Sequence, residues 1–108
     1  MVVKVVKVVE GNEFVIIHVD VEGVITPEEL PQLIEKLIEE VGNKYMGKGV
    51  IISGRMPVWA HSAIAHEFHP CRWVAHFDPR IGAVVVESHT PQVKVGQVIP
   101  IEQLKPFL

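Results

Sequence analysis

The chain has 108 residues, 48% of them hydrophobic, which suits one domain with one hydrophobic core. Its single cysteine excludes an internal disulfide, and its net charge of −3 argues against binding to long nucleic acid, which requires a broadly basic face. Because the sequence shows neither a secretory leader nor an apolar run that could cross a membrane, we expect a cytoplasmic protein with no membrane partner.

A β-hairpin is the first element that the sequence predicts. Residues Val2–Val9 are mostly valine, residues 10–13 are turn-forming types, and Phe14–Asp20 have the pattern of a second strand. Both faces of that second strand are apolar, which is typical of an internal strand in a covered sheet.

An amphipathic helix follows. Thr26 before Pro27 is a typical helix start, with a capping hydroxyl and a proline in the first turn, and Gly42 is a typical stop. Pro31 predicts an irregular first turn. The apolar stripe consists of Leu30, Leu33, Ile34, Leu37, Ile38 and Val41. We interpret this helix as scaffold.

The remaining pattern predicts a second strand–helix unit and another hairpin. A buried strand over Gly49–Ile52 precedes an alanine-rich helix over 57–69, which Pro70 ends. Trp73–Asp78 and Ala83–Ser88 are predicted strands joined by a tight turn. The tail is predicted to be loop with one short strand.

The alternation of strands and helices predicts an α/β fold. We expect one domain over residues 1–108, built on a small Rossmann-like mixed sheet. Its strands should be parallel at the centre, with antiparallel hairpins at the edges and two helices. In such sheets ligands bind beyond the carboxyl ends of the parallel strands.

The candidate functional residues are concentrated in one stretch. All three arginines and five of the six histidines lie between residues 55 and 89. The Ser53-Gly54-Arg55 turn lies between a strand and a helix, where backbone N–H groups, a hydroxyl and a guanidinium can hold phosphate. The alternative is a tight turn with a surface arginine, since a single glycine is a weak signal.

Two pairs of residues are further candidates for chemistry. His66 and His69 are three residues apart, so on one helix they would face the same way and could bind a metal or transfer protons. Helices also carry histidines without any site. Asp78 and Arg80 share a turn, and aspartate is common in turns, whereas a turn does not require an arginine.

Glu87 and His89 share a face at the end of the last long strand. If residues 78–82 form a hairpin turn, His89 lies near the start of the preceding strand and is therefore far from Asp78 within one chain. A symmetric oligomer would remove this obstacle by bringing the ends of different subunits together. A structural zinc site is not expected, because paired cysteines are absent.

Several of these segments together resemble one known family. They are Gly49–Arg55, Pro57–Trp59, Ala65-His66, His69, Asp78–Val86 and Ser88-His89. In combination and in spacing they are similar to the small stand-alone CRISPR-associated ring nucleases of type III systems, relatives of the CRISPR-associated Rossmann-fold sensors. The similarity covers roughly residues 49–99, and no functional residue is carried over from the first 48.

The resemblance implies a manganese-dependent phosphodiesterase that cleaves cyclic tetraadenylate and short single-stranded RNA tails, and so switches off type III CRISPR signalling. It also implies a homodimer that assembles into a homotetramer. The catalytic residues that it implies are His69, Asp78, Arg80 and His89. The substrate-binding residues that it implies are Ser53, Gly54 and Arg55, and the implied ligands of Mn2+ are His69 and Asp78.

Two other functions remain open at this point. A non-catalytic sensor or sink would sequester oligoadenylate or RNA ends through the Ser53–Arg55 turn, with His69 and Asp78 only structural. A metal-binding scaffold subunit would account for the histidines without any nucleotide. Turnover separates the nuclease from the sink, and thermal stabilisation by ligand separates the sink from the scaffold.

Overall fold

A computed structural model of the chain describes residues 2–108, with side chains from Val6 onward, so Met1 of the predicted domain lies outside the described residues. Its strands form one sheet in the order β1 to β6. They are β1 (Val2–Glu10), β2 (Phe14–Glu22), β3 (Gly49–Ser53), β4 (Trp73–Asp78), β5 (Gly82–Ser88) and β6 (Val98–Pro100). Strands β2, β3 and β4 are parallel and the other neighbours are antiparallel, which confirms the predicted mixed sheet.

Two helices connect the parallel strands and a third follows the last strand. They are α1 (Leu30–Val41), α2 (Val58–Glu67) and α3 (Ile101–Leu104), with 3-10 turns at Pro27–Glu29 and Lys105–Phe107. Within residues 2–108, none of these helices has the length and apolar character that crossing a membrane requires.

The start of α1 shows the predicted irregular turn. The backbone N–H of Thr26 donates to the Glu29 carboxylate at 2.9 Å, which completes a capping box. Pro31 has no N–H to donate to the carbonyl of Pro27, so the first turn closes instead as a 3-10 turn, through the N–H of Leu30.

Both long helices lie on one face of the sheet. Each crossover moves to the next strand in the same direction, and because such connections have one hand, the helices meet the same face. There Leu33, Leu37 and Ile64 pack with Val15, Ile17, Val50 and Ile52. Since the strand order never reverses, the sheet lacks the crevice that a reversal creates in doubly wound folds. The turns at the carboxyl edge must therefore shape any site there.

The other face is covered by the C-terminal tail, which the sequence pattern underestimates. The predicted short strand is present as β6, but the tail continues into α3 and a 3-10 turn instead of remaining loop. Leu104 is fully buried against this face, in the cluster that contains Ile16, Ile51 and Phe107. A helix of four residues is too short to show a helical hydrophobic period, so the sequence carried no usable signal for it.

The end of α2 corrects the expectation for His66 and His69. The helix ends at Glu67, and the N–H of His69 donates to the carbonyl of His66 at 3.2 Å in a tighter turn. Pro70 disfavours a helical conformation for the residue before it, so His69 leaves the helix. The prediction that His66 and His69 share a helix face is therefore wrong.

Candidate functional site at two edges of the sheet

The carboxyl ends of the parallel strands carry the Ser53–Arg55 turn. Ser53 is the last residue of β3, and Gly54 and Arg55 are exposed before α2 begins. The turn separates two depressions, one of about 540 Å3 toward β1 and β2 and one of about 460 Å3 toward β4 and β5. The residues that the resemblance assigns to substrate binding thus lie at the sheet edge that the topology favours.

The shape of this turn depends on Gly54. Its φ is +149°, and a Cβ at this position would overlap the carbonyl oxygen of Val19 on the neighbouring strand. Only glycine fits a left-handed conformation this close to another backbone.

We expect Gly54→Ala to lower the free energy of unfolding by about 2 kcal/mol or more, because the new methyl group adds a clash to the backbone strain. Gly96→Ala is the matched control, since Gly96 has φ +90° but open space around its Cβ position. Urea denaturation of both variants measures the difference. Equal losses would mean that the close approach to Val19 is unimportant.

Asp78 and Arg80 form an ion pair within the β4–β5 turn. The Arg80 Nε donates to Asp78 Oδ1 at 3.0 Å and its Nη2 donates to Oδ2 at 2.8 Å, while the backbone N–H of Arg80 also donates to Oδ1. These bonds from Arg80 lower the pKa of Asp78 to about 2. Asp78 is therefore a carboxylate at neutral pH and holds the exposed Arg80 in place instead of transferring protons.

His61 and His76 line the depression toward β4 and β5, as do Asp78 and Arg80. Their rings meet edge to face with centroids 5.0 Å apart, and His61 Nε2 donates to the carbonyl of Gly54 at 3.1 Å. A carbonyl only accepts, so the neutral His61 ring carries its proton on Nε2. The Nδ1 atoms of His61 and His76 are buried without a partner among the described residues. His61 thus fastens the Ser53–Arg55 turn to α2.

We expect the protein to lose stability below neutral pH. Burial lowers the pKa of His18, His61 and His76, and the neighbours Lys7 and His61 add to the effect at His18 and His76. The unfolded chain therefore binds more protons than the folded one in this pH range. The free energy of unfolding has its full value above about pH 7 and falls as the pH drops through about 6.5, the pKa of histidine in the unfolded chain. Urea titrations from pH 8 to pH 5 measure the free energy of unfolding at each pH. If His61→Gln showed the same dependence on pH as wild type, the result would contradict the assignment to His61.

A second group of residues lies at the opposite edge, where β4 begins and β5 ends. His69 Nδ1 is hydrogen-bonded to Glu87 Oε1, and His89 Nε2 lies 2.8 Å from the same oxygen. The two imidazole rings meet edge to face with centroids 4.8 Å apart. Burial raises the pKa of Glu87, but hydrogen bonds from His69 and His89 outweigh this and lower it.

This group has the composition of a divalent-metal site. Among the described residues, it is the one set of three histidine, cysteine or carboxylate side chains whose ligand atoms all lie within 4.8 Å of one another. Two imidazoles and one carboxylate suit manganese, iron or zinc and leave coordination positions open. His69, Glu87 and His89 therefore fit the metal that the resemblance implies. Glu87 was not in the predicted set, and its place one strand residue before Ser88-His89 was the available signal.

The implied catalytic residues separate into two sets within one chain. Trp73 pairs with Ser88, and Asp78 pairs with Gly82, so His89 and Asp78 lie at opposite ends of β4. The five residue steps from Trp73 to Asp78 span about 16 Å. One chain therefore does not bring the implied metal ligands His69 and Asp78 together, as the expected hairpin register already indicated for His89.

Comparison with known proteins places the chain in a family. Residues 18–100 match the family model described as CRISPR-associated protein (Cas_csx3). An uncharacterized protein of Aquifex aeolicus (strain VF5) is 36% identical over 93 residues, which cover 85% of this chain and 82% of that relative. On this evidence, the chain belongs to the Csx3 family of CRISPR-associated proteins.

Proposed function

We propose that this protein is a manganese-dependent phosphodiesterase that binds cyclic tetraadenylate, cleaves the ring and so ends a type III CRISPR signal in the cytoplasm. Trimming of short single-stranded RNA tails would use the same chemistry. The observation that carries the proposal is the His69–Glu87–His89 cluster, which offers a hydrolytic metal site in a chain of a CRISPR-associated family.

The resemblance implied His69 and Asp78 as the ligands of Mn2+. In this proposal His69, Glu87 and His89 would hold the metal instead. Bound there, the metal would polarise a phosphoryl oxygen or activate water. Glu87 contributes a negative charge to the site. Its Oε1 atom is also hydrogen-bonded to both imidazoles, which holds the two rings in place. His69 and His89 are both exposed, so a ligand can reach this edge from solvent.

The carboxyl edge would hold the phosphate. Arg80 has its Nε and Nη2 atoms on Asp78, and its side chain is 85% exposed, so the Nη1 atom is left to face a ligand. A guanidinium held in place by a carboxylate stabilises charge that develops on a phosphate without having to reorganise. Asp78 is therefore a positioning residue in this proposal.

A complete site would need two chains, because the two edges lie at opposite ends of β4 in one chain. We propose a homodimer that assembles into a homotetramer around the ring, with the carboxyl edge of one chain facing the His69–Glu87–His89 cluster of another. A partly exposed valine on the last strand, Val98, supports self-association. Val98 pairs with Val84 and Val84 with His76, so all three share the face that carries the helices, and 38% of Val98 remains exposed there.

The test is incubation of the purified protein with radiolabelled cyclic tetraadenylate, in manganese and in EDTA, with chromatographic separation of the products. Conversion to linear adenylates in manganese alone supports the proposal. An intact ring in both conditions contradicts it.

A non-catalytic sink for oligoadenylate is the second candidate. It is favoured by one observation: Asp78 and Arg80 satisfy each other and close a turn, which is a sufficient structural reason for both residues. The same experiment separates the two, because a sink retains the ring tightly and uncut whether or not metal is present.

A further inference from the structure

The depression of about 540 Å3 on the β1–β2 side of the Ser53–Arg55 turn has no role in the chemistry described above. Its polar lining consists of Lys7, His18, Asp20, Ser53 and Arg55. It adjoins the depression that contains Asp78 and Arg80, since Gly54 lines both. A ligand held at Arg80 can therefore extend across the turn into this second depression.

The strand register places three of these side chains in a row. Lys7 of β1 pairs with His18 of β2, and His18 pairs in parallel with Ser53 of β3. Directly paired residues point to the same face of a sheet, so the ammonium, imidazole and hydroxyl groups share one surface. Nearly fifty residues of chain separate Lys7 from Ser53, and only the sheet brings them together.

Charge distinguishes this depression from its neighbour. The positive charge of Arg80 is balanced by Asp78 at 2.8 Å. Lys7 and Arg55 are exposed and take part in no ion pair within the described part of the chain. Lys7 and Arg55 outnumber the one carboxylate in this depression, Asp20, so its lining carries a net positive charge that attracts an anion.

The volume and the mixture of groups fit one nucleotide. Ligand pockets of several hundred Å3 are of the size that encloses a small organic ligand. Lysine and arginine bind phosphate, and the carboxylate of Asp20 can accept hydrogen bonds from ribose hydroxyls.

We propose that Lys7, His18 and Arg55 form a subsite for one non-reacting nucleotide of the ligand, with its phosphate between Lys7 and Arg55 and its ribose toward Asp20. This inference rests on the proposed function for the identity of the ligand. A ring of four nucleotides presents a phosphate to Arg80 and further phosphates beyond it. The subsite holds one of these and supplies binding energy away from the reacting bond.

The test is the affinity of the intact protein for radiolabelled cyclic tetraadenylate in EDTA, where a metal-dependent reaction cannot consume the ring. Lys7→Gln should weaken binding about 10-fold or more and lower the dependence of log affinity on log salt by about one ion. Lys7→Arg should retain binding. Lys44→Gln is the matched control, because Lys44 is also exposed but lies in the turn that leads to the amino end of β3.

Adenosine 5′-monophosphate and adenosine separate the sources of the effect. Lys7→Gln should weaken the monophosphate and leave adenosine unchanged, since only the former carries the phosphate. If wild type binds the ring and Lys7→Gln matches Lys44→Gln, the subsite is wrong while the proposed function stands. If wild type neither binds nor cleaves the ring, the proposed function and the subsite fall together.

Discussion

Arg80→Ala and His89→Ala are each expected to lower ring cleavage by about 100-fold or more, and to regain activity when both variants are combined in one assembly. The two residues lie at opposite ends of β4, so the proposed site takes one from each of two chains. An assembly of the two variants then contains intact sites made from the unaltered edge of each. With random mixing, about a quarter of the sites are intact.

Co-expression of the two variants with different tags, followed by purification through both, provides the mixed assembly. Assemblies of a single variant carried through the same procedure are the controls. Both side chains are well exposed, at 85% for Arg80 and 44% for His89, so neither substitution is expected to unfold the chain. A mixed assembly no more active than the single variants would mean that Arg80 and His89 do not meet between chains.

Glu87→Gln is expected to weaken Mn2+ binding by about 100-fold or more. Glu87 supplies the only negative charge of the His69–Glu87–His89 cluster, and loss of a direct ligand costs at least as much as loss of an outer-shell partner. Electron paramagnetic resonance of free Mn2+ during a titration measures this affinity without reference to any reaction. Turnover of cyclic tetraadenylate should fall in parallel.

Two further variants make this result decisive. Glu40→Gln removes an exposed carboxylate on α1, outside the cluster, and should bind Mn2+ as wild type does. Asp78→Asn tests the ligand pair that the family resemblance implied. Normal binding by Glu87→Gln together with loss of binding by Asp78→Asn would return the metal to the Asp78 edge and refute the cluster.

Local sequence patterns were sufficient for most of the fold. The apolar stripe of α1, the capping residues Thr26 and Pro27 and the apolar run of β3 depend only on neighbours in the chain, so they predicted these elements correctly. Pro31 even predicted the irregular first turn. The patterns failed where an element is very short, as in α3, and where one proline changes a helix end, as at His69 and Pro70.

The sequence by itself determined which residue types are available for chemistry, because the histidines and arginines lie in one stretch that resembles a family. Only the tertiary structure decided which of them meet. The register of β4 with β5 separates Asp78 from His89 and sets Glu87 beside His69 and His89, and the register of β1, β2 and β3 aligns Lys7 with His18 and Ser53. The turn of the β4–β5 hairpin already indicated that Asp78 and His89 lie apart. The pairing of His18 with Ser53 joins residues far apart in the chain through backbone hydrogen bonds between strands, which no local pattern encodes.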